Sequence, residues 1–175
     1  FIDEQGRELP RGEAGEIVGA SAGMMTGYYR LPDKTREAEW FSASGERFIR
    51  SGDVGQMDED GFIVLGDRKK DMIITGGFNV YPSDIESVLL QHPEVRECAV
   101  VGVPSEAWGE TPVAYVVAQP GSTPAAAALQ DWLNSRVGKT QRVAEVVLTE
   151  QLPRSEIGKV LKRELRELYT KAHPA

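Results

Sequence analysis

Three short polar clusters contain the residue types that could do chemistry in this chain. Ser51-Gly52-Asp53 places a carboxylate at a predicted turn between strands, where it could accept hydrogen bonds from the vicinal hydroxyls of a ribose. Spacing alone favours a simpler role, in which the aspartate caps the turn. Arg68-Lys69-Lys70 and the segment from Arg154 to Lys159 gather positive charge at two points. Two local basic points suit a small anionic ligand better than a polymer.

Lys159 is the residue of the last cluster with the clearest chemical potential. The pattern predicts a loop that enters a helix, with this lysine in the first helical turn. A cation there lies at the wrong end of the helix macrodipole, so a use outside the helix is indicated. A solvated lysine is the alternative.

Several familiar sites are excluded by their spacing. Gly158-Lys159 does not end a phosphate-binding loop, because Pro153 stands where the first glycine belongs and Val160 where Ser or Thr is required. His92 and His173 are the only histidines and lie far apart, which leaves no metal site and no nucleophile–base pair. No glycine-rich dinucleotide fingerprint follows a predicted strand.

The composition is that of an ordinary globular protein, with 41% hydrophobic and 27% charged residues and a net charge of −7. No broad basic face is predicted, which argues against nucleic-acid binding. There is no apolar run of ~18 residues and no signal-peptide pattern, so we expect no transmembrane segment and a cytoplasmic location. The single cysteine, Cys98, lies in an apolar run and is predicted to be a buried strand residue, in agreement with a reducing compartment.

The pattern changes along the chain and predicts two domains. Residues 1–69 contain short strands but too little apolar periodicity to close a core, and they open on Phe1 without an initiator methionine. We therefore expect them to be the β-rich end of a larger, incomplete domain. Residues 70–175 predict a compact α+β domain, with a hairpin, a mixed three-stranded sheet and helices. Its first helix is predicted to carry Ser83 as N-cap and Glu86 as the partner in a capping box.

Taken together, these clusters resemble the adenylate-forming superfamily, in particular its AMP-forming acyl-CoA synthetases. The match extends over nearly all 175 residues, and its segments follow one another in family order and spacing. One such segment alone would be a weak signal, whereas six in order are a strong one. The six segments are Tyr28-Tyr29, Arg50-Ser51-Gly52-Asp53, 66–74, 76–86, 103–110 and 152–165.

The resemblance implies roles in adenylation for four residues. Asp53 would hold the ribose hydroxyls of ATP, and Arg68 would contact the nucleotide near its ribose and phosphate. Lys159 matches the lysine that bridges the substrate carboxylate and the α-phosphate. Lys70 matches the hinge about which a C-terminal lid domain, here residues 70–175, swings between the two half-reactions.

Three further residues match positions around CoA and the acyl-adenylate. The backbone of Gly77 would line the tunnel for the pantetheine arm, Asn79 would lie near the acyl-adenylate, and Trp108 is a candidate for contact with the CoA nucleotide. Ile74 stands where some relatives carry lysine, which favours a synthetase for fatty or aromatic acids. Ser51 departs from the usual threonine.

The resemblance thus implies the C-terminal part of a ligase that joins a carboxylic acid to CoA with ATP through an acyl-adenylate. ATP, CoA and the acid are the expected small-molecule partners, together with the N-terminal domain of the same full-length chain. Mg²⁺ is expected to be bound by that N-terminal part, and the fragment alone is expected to be inactive. The alternatives are an amino-acid-activating domain of a peptide synthetase and a non-catalytic binding module that keeps the fold.

Overall fold

The computed structural model describes residues 1–173 and divides the chain into two compact units. The first unit comprises Phe1–Lys70, and the second begins at Asp71, one residue beyond the predicted boundary. Pro174 and Ala175, which end the predicted second domain, lie outside the described residues. Helices and strands together confirm the α+β class. None of the helices within residues 1–173 combines the length and apolarity that a membrane crossing needs.

The first unit is an antiparallel sheet built around one long strand. The central strand β3 pairs with β1 along one edge, and with β2 and β4 at its two ends. A short helix, α1, precedes β2 and was not predicted from the sequence. The elements are β1 Gly15–Gly19, α1 Pro32–Ala38, β2 Glu39–Phe41, β3 Arg47–Met57 and β4 Ile63–Arg68.

The core of the first unit is small, as the weak periodicity of its sequence led us to expect. Within residues 1–70, all of which the structure describes, Ile2 and Val54 are the buried hydrophobic side chains. In contrast, the run from Phe62 to Leu65 is exposed along the start of β4. The sheet is therefore held mainly by its backbone ladder and by polar contacts.

The second unit is organised around one mixed five-stranded sheet. Strands β7 and β8 form a long antiparallel pair, β9 joins β8 in parallel, and the β5–β6 hairpin joins β8 through the pair Thr75–Gly109. The predicted hairpin and mixed three-stranded sheet are thus confirmed as parts of a single sheet. The elements are β5 Ile73–Thr75, β6 Phe78–Val80, α2 Pro82–Leu89, β7 Val95–Ser105, β8 Gly109–Ala118, α3 Ala126–Asn134, β9 Glu145–Leu148 and α4 Lys162–Ala172.

Both faces of this sheet are covered, which explains why β7 and β8 are apolar almost throughout. Side chains alternate between the two faces of a strand. Val100 and Ala114 therefore pack with α2 and α3. Val101 and Tyr115 pack on the opposite face with Leu165 of α4. The sequence of the two strands has no polar face because neither face meets water.

The first helix of the second unit begins differently from the prediction. It starts at Pro82 with Tyr81 at the N-cap position, and no side chain caps it. The predicted capping box of Ser83 and Glu86 is therefore wrong. Proline is favoured at the first helical position because its missing N–H would have no intrahelical partner there. Glu86 is consequently available for contacts with β7 and α4.

Candidate functional site

Asp53 and Arg68 face each other across the β3–β4 pair. Their Cα positions are direct partners in the ladder, and Arg68 Nε lies 3.3 Å from Asp53 Oδ1. Both side chains are more than a third exposed, so the pair is open to solvent and adds little to stability. The two residues that the resemblance assigns to a nucleotide are thus brought together, although 14 positions separate them in the sequence.

The backbone at Asp53 is a bulge within a strand, and the predicted turn at Ser51-Gly52-Asp53 is wrong. β3 runs through this segment, but its pairing with β1 shifts register between Glu16 and Val18. Gly52 accommodates the irregularity with φ +74°, a conformation that side chains disfavour. Ser51 Oγ accepts from the Asp53 N–H at 3.0 Å and donates to the Ile17 carbonyl at 2.9 Å. The Asp53 side chain beside this bulge is 41% exposed.

A buried carboxylate, Glu16, supports the basic segment that follows β4. Its side chain is 7% exposed, and Lys69 Nζ donates to Glu16 Oε2 at 2.9 Å. Arg50 Nε lies 3.3 Å from the same oxygen as an ion pair without hydrogen-bond geometry. Sequence reasoning missed Glu16, because nothing in its local pattern links it to residues 34 and 53 positions away.

Lys70 lies between two anchored neighbours. Lys69 is held to Glu16 within the first unit. Asp71 is held within the second unit, where Arg166 Nη2 donates to its Oδ1 at 3.1 Å. Lys70 itself is exposed, and no ion pair involves it among residues 1–173. The point at which the chain passes from one unit to the next is therefore flanked by one contact into each unit.

Gly77, Asn79 and Trp108 lie around the β5–β6 hairpin. Gly77 has φ +83°, and a Cβ there would meet no atom within 4 Å, so its backbone faces open space. Gly76 also has positive φ, donates to the Trp108 carbonyl at 2.8 Å and lies against the indole. Asn79 is exposed opposite Ile74 in the hairpin, and Trp108 is 59% exposed. The hairpin thus presents bare backbone beside an exposed aromatic ring.

Lys159 lies in a loop before α4, and the prediction that it occupies the first turn of that helix is wrong. The helix begins at Lys162, and an isolated bridge between Arg154 and Val160 closes the loop. The side chain of Lys159 is exposed, and no ion pair involves it within residues 1–173. The lysine in the first turn of α4 is Lys162, so the unfavourable position relative to the helix macrodipole belongs to Lys162. Lys162 Nζ lies 2.8 Å from Glu86 Oε1.

Near this loop, the carboxyl of Glu97 in β7 has a pKa that is shifted from its usual value. A hydrogen bond from Arg154 is the main cause that lowers the pKa of its carboxyl below the usual value, and burial opposes the shift. Arg154 Nη2 lies 2.5 Å from Glu97 Oε2, and Arg96 Nε lies 3.3 Å from Oε1. Sequence reasoning did not identify Glu97, because only the β7 register brings it to Arg154.

The part of the chain that the structure describes offers no set of metal ligands. Residues 1–173 contain no group of three or more His, Cys, Asp or Glu side chains that could hold a metal ion. These residues therefore do not fit a Mg²⁺ site.

Comparisons with known proteins show which family this chain resembles. Residues 84–159 match the family model described as the AMP-binding enzyme C-terminal domain. The resemblance of this chain to the adenylate-forming superfamily, inferred from motifs between 28–29 and 152–165, is confirmed.

Sequence relatives of this chain are ligases. A fatty acid–[acyl-carrier-protein] ligase of Streptomyces coeruleorubidus is 43% identical over 168 residues, which are 96% of this chain and 31% of the relative. A 2-succinylbenzoate–CoA ligase of Geobacillus kaustophilus is 40% identical over 97% of this chain and 34% of the relative. A long-chain-fatty-acid–CoA ligase of Salmonella typhimurium is 41% identical over 95% and 29%. The chain spans about a third of the length of these relatives.

Solved structures similar to this chain include an ATP-bound protein and a CoA synthetase. MatB from Rhodopseudomonas palustris with ATP bound has a TM-score of 0.89 at 40% identity, covering 98% of this chain and 33% of that chain. The o-succinylbenzoate CoA synthetase of Bacillus subtilis in complex with its acyl-adenylate intermediate has a TM-score of 0.79 at 34% identity, covering 94% and 33%. The fold of this chain is therefore similar to that of about a third of each of these two proteins.

Proposed function

We propose that this chain is the C-terminal third of an AMP-forming acid–CoA ligase. The complete enzyme converts a fatty or aromatic carboxylic acid, ATP and CoA to an acyl-CoA, AMP and pyrophosphate through an acyl-adenylate. One observation carries this proposal. The first unit holds the exposed Asp53–Arg68 pair, the second unit holds the exposed Lys159, and the chain passes between them at Lys70.

Asp53 and Arg68 are assigned to the nucleotide. A carboxylate accepts hydrogen bonds from two vicinal hydroxyls, which is the chemistry that a ribose offers. Arg68 Nε lies 3.3 Å from the carboxylate, and the guanidinium has further N–H groups that can donate to phosphate oxygens. Their cross-strand pairing and exposure support this assignment.

Lys159 is assigned to the adenylation step. The attack of a carboxylate on the α-phosphate of ATP brings two negative groups together, and a cation between them lowers that cost. At ~4 Å and an effective dielectric near 20, one such unit-charge contact contributes ~4 kcal/mol. The exposed side chain of Lys159, which forms no ion pair within the described residues, is available for this contact.

Lys70 is assigned to the hinge. The contact of Lys69 with Glu16 and that of Asp71 with Arg166 hold the two flanking residues to different units. A backbone rotation between these anchors would therefore concentrate at Lys70. Such a rotation would bring Lys159 to the nucleotide for adenylation and remove it for thioester formation, when the Gly77 backbone would receive the thiol arm of CoA near Asn79 and Trp108.

The proposal is tested in the full-length enzyme by separating the half-reactions. Lys159→Ala should slow acyl-adenylate formation by about 10²–10³-fold, the usual effect of removing one preorganised electrostatic group, and should spare thioester formation from supplied acyl-adenylate. Lys70→Pro should do the reverse, because proline locks φ at the hinge. Lys171→Ala, an exposed lysine of α4, is the matched control. Equal loss of both half-reactions in Lys159→Ala would contradict the role of the lysine.

A carrier protein is a second candidate for the thiol that accepts the acyl group, and one comparison favours it. The fatty acid–[acyl-carrier-protein] ligase is 43% identical to this chain. A carrier protein presents the same type of thiol arm as CoA, so the hairpin around Gly77 suits both. Assay of the full-length enzyme with CoA and with a phosphopantetheinylated carrier protein distinguishes them. Preferred turnover of the carrier protein would replace CoA in the proposal.

The isolated chain is expected to be inactive and the full-length enzyme to act in the cytoplasm, where ATP and CoA are available. Residues 1–175 supply Lys159 and the Asp53–Arg68 pair, whereas the relatives are about three times as long. Activity of the isolated chain with ATP and an acid would contradict the first expectation. Fractionation of the source cells tests the second.

A further inference from the structure

The loop that carries Lys159 has a well-defined backbone. The Ser155 N–H donates to the Lys159 carbonyl at 2.8 Å, and the Gly158 N–H donates to the Ser155 carbonyl at 2.8 Å. The Lys159 N–H donates to Ser155 Oγ at 3.2 Å. Gly158 has φ +81°, which the tight turn requires. The loop is therefore a small closed hairpin whose last residues lead into α4.

Arg154 connects this hairpin to the sheet through both ends of its guanidinium. Nη1 donates to the Gly158 carbonyl at 2.7 Å, and Nη2 donates to Glu97 Oε2 at 2.5 Å. The Gly158 carbonyl belongs to the peptide bond whose nitrogen is that of Lys159. Arg154 thus links the backbone of Lys159 to β7, one of the two long strands of the sheet. The two contacts use two different nitrogens of the rigid guanidinium fork, whereas a lysine would have to reach both acceptors from a single nitrogen.

Stability does not account for this arrangement. Arg154 is 44% exposed and Glu97 is 34% exposed, and ion pairs at such positions contribute little to global stability. Glu97 nevertheless stays ionised, because the hydrogen bond from Arg154 lowers the pKa of its carboxyl. The contact limits where the loop can lie rather than whether the domain folds.

We propose that Arg154 and Glu97 are positioning residues that set the backbone of Lys159 for adenylation. This inference rests on the proposed role of Lys159. The lysine side chain is long and flexible, so the location of its ammonium group depends on where its backbone is held. A displacement of about 1 Å in a catalytic group can cost on the order of 100-fold in rate.

The test uses the full-length enzyme with Arg154→Met and Glu97→Ala, each of which removes the hydrogen bond between these two side chains. We expect each to lower kcat for acyl-adenylate formation by roughly 10- to 100-fold. KM for ATP and the rate of thioester formation from supplied acyl-adenylate should stay within about twofold of the values for the unsubstituted enzyme. Neither ATP binding nor thioester formation requires Lys159 in this proposal. Arg96→Met is the matched control, since Arg96 also pairs with Glu97, at 3.3 Å, but within residues 1–173 it forms no ion pair or hydrogen bond with the loop at 154–159. Arg154→Lys should not restore kcat.

A second readout does not depend on activity. Hydrogen exchange of the Ser155 and Lys159 amides should become faster in Arg154→Met and in Glu97→Ala, and should be unchanged in Arg96→Met. The double variant should be no worse than Arg154→Met alone, because both changes remove the same contact. Unchanged exchange, or full adenylation activity in both variants while Lys159→Ala is impaired, would overturn the positioning role and leave the proposed function intact. Full adenylation activity of Lys159→Ala would instead contradict the proposed function.

Discussion

Replacement of Glu86 should lower the free energy of unfolding of the second unit by more than replacement of an exposed charged residue would. Glu86 Oε1 accepts from the Val100 N–H at 2.7 Å and lies 2.8 Å from Lys162 Nζ. It therefore links α2 to the sheet edge at β7 and to the first residue of α4. The side chains of Glu86 and Lys162 are only 21% and 16% exposed, and Val100 is fully buried.

The size of the effect follows from what the substitution leaves behind. Glu86→Ala leaves the buried N–H of Val100 without an acceptor, which costs about 1–3 kcal/mol. It also leaves the ammonium of Lys162 without its counter-charge, and breaking a buried pair costs about 3–5 kcal/mol in all. Because the pair retains some exposure, we expect a loss of about 3 kcal/mol. Glu86→Gln keeps an acceptor for Val100 and should lose about half as much.

The assay is urea unfolding, followed by hydrogen exchange of amides in the β7–β8 pair so that the second unit alone is reported. The Val100 amide should exchange much faster in Glu86→Ala than in Glu86→Gln. Glu167→Ala is the matched control, because Glu167 pairs with Arg163 at 3.3 Å where both side chains are more than half exposed. Its expected loss is about 0–1 kcal/mol. A loss in Glu86→Ala no larger than in this control would refute the reasoning.

Two further predictions concern the thiol and the hairpin of the second unit. Burial raises the pKa of Cys98 from its usual 9.0 to about 12, so iodoacetamide should label this single cysteine slowly at pH 8 and rapidly in urea. The associated stability is intact below pH 9.0 and is lost towards pH 12, because the unfolded thiol ionises first; equal labelling rates with and without urea would contradict this. Gly77→Ala and Gly121→Ala introduce a side chain at the same φ of +83° and into open space, so each should cost about 1 kcal/mol. Only Gly77→Ala should slow thioester formation in the full-length enzyme, and equal rates in both variants would exclude contact between the Gly77 backbone and the thiol arm.

The sequence was sufficient for the class of the second domain and for its family. The sequence pattern predicted a hairpin and a mixed sheet within residues 70–175, and strands lie there at 73–75, 78–80, 95–105 and 109–118. Such elements can be predicted because period and turn chemistry are local properties. The motif order that identified the adenylate-forming superfamily is also a property of the sequence alone.

Tertiary structure decided how the polar residues are used. Asp53 meets Arg68 only because of the β3–β4 register, and Glu97 meets Arg154 only because the loop before α4 closes against β7. Glu86 was predicted to cap its own helix, but it caps the N–H of Val100 instead. A buried donor at a sheet edge requires an acceptor, and the residue that supplies it is set by packing between elements distant in sequence. Local patterns determine which elements form, whereas partners for charges and hydrogen bonds are determined when those elements assemble.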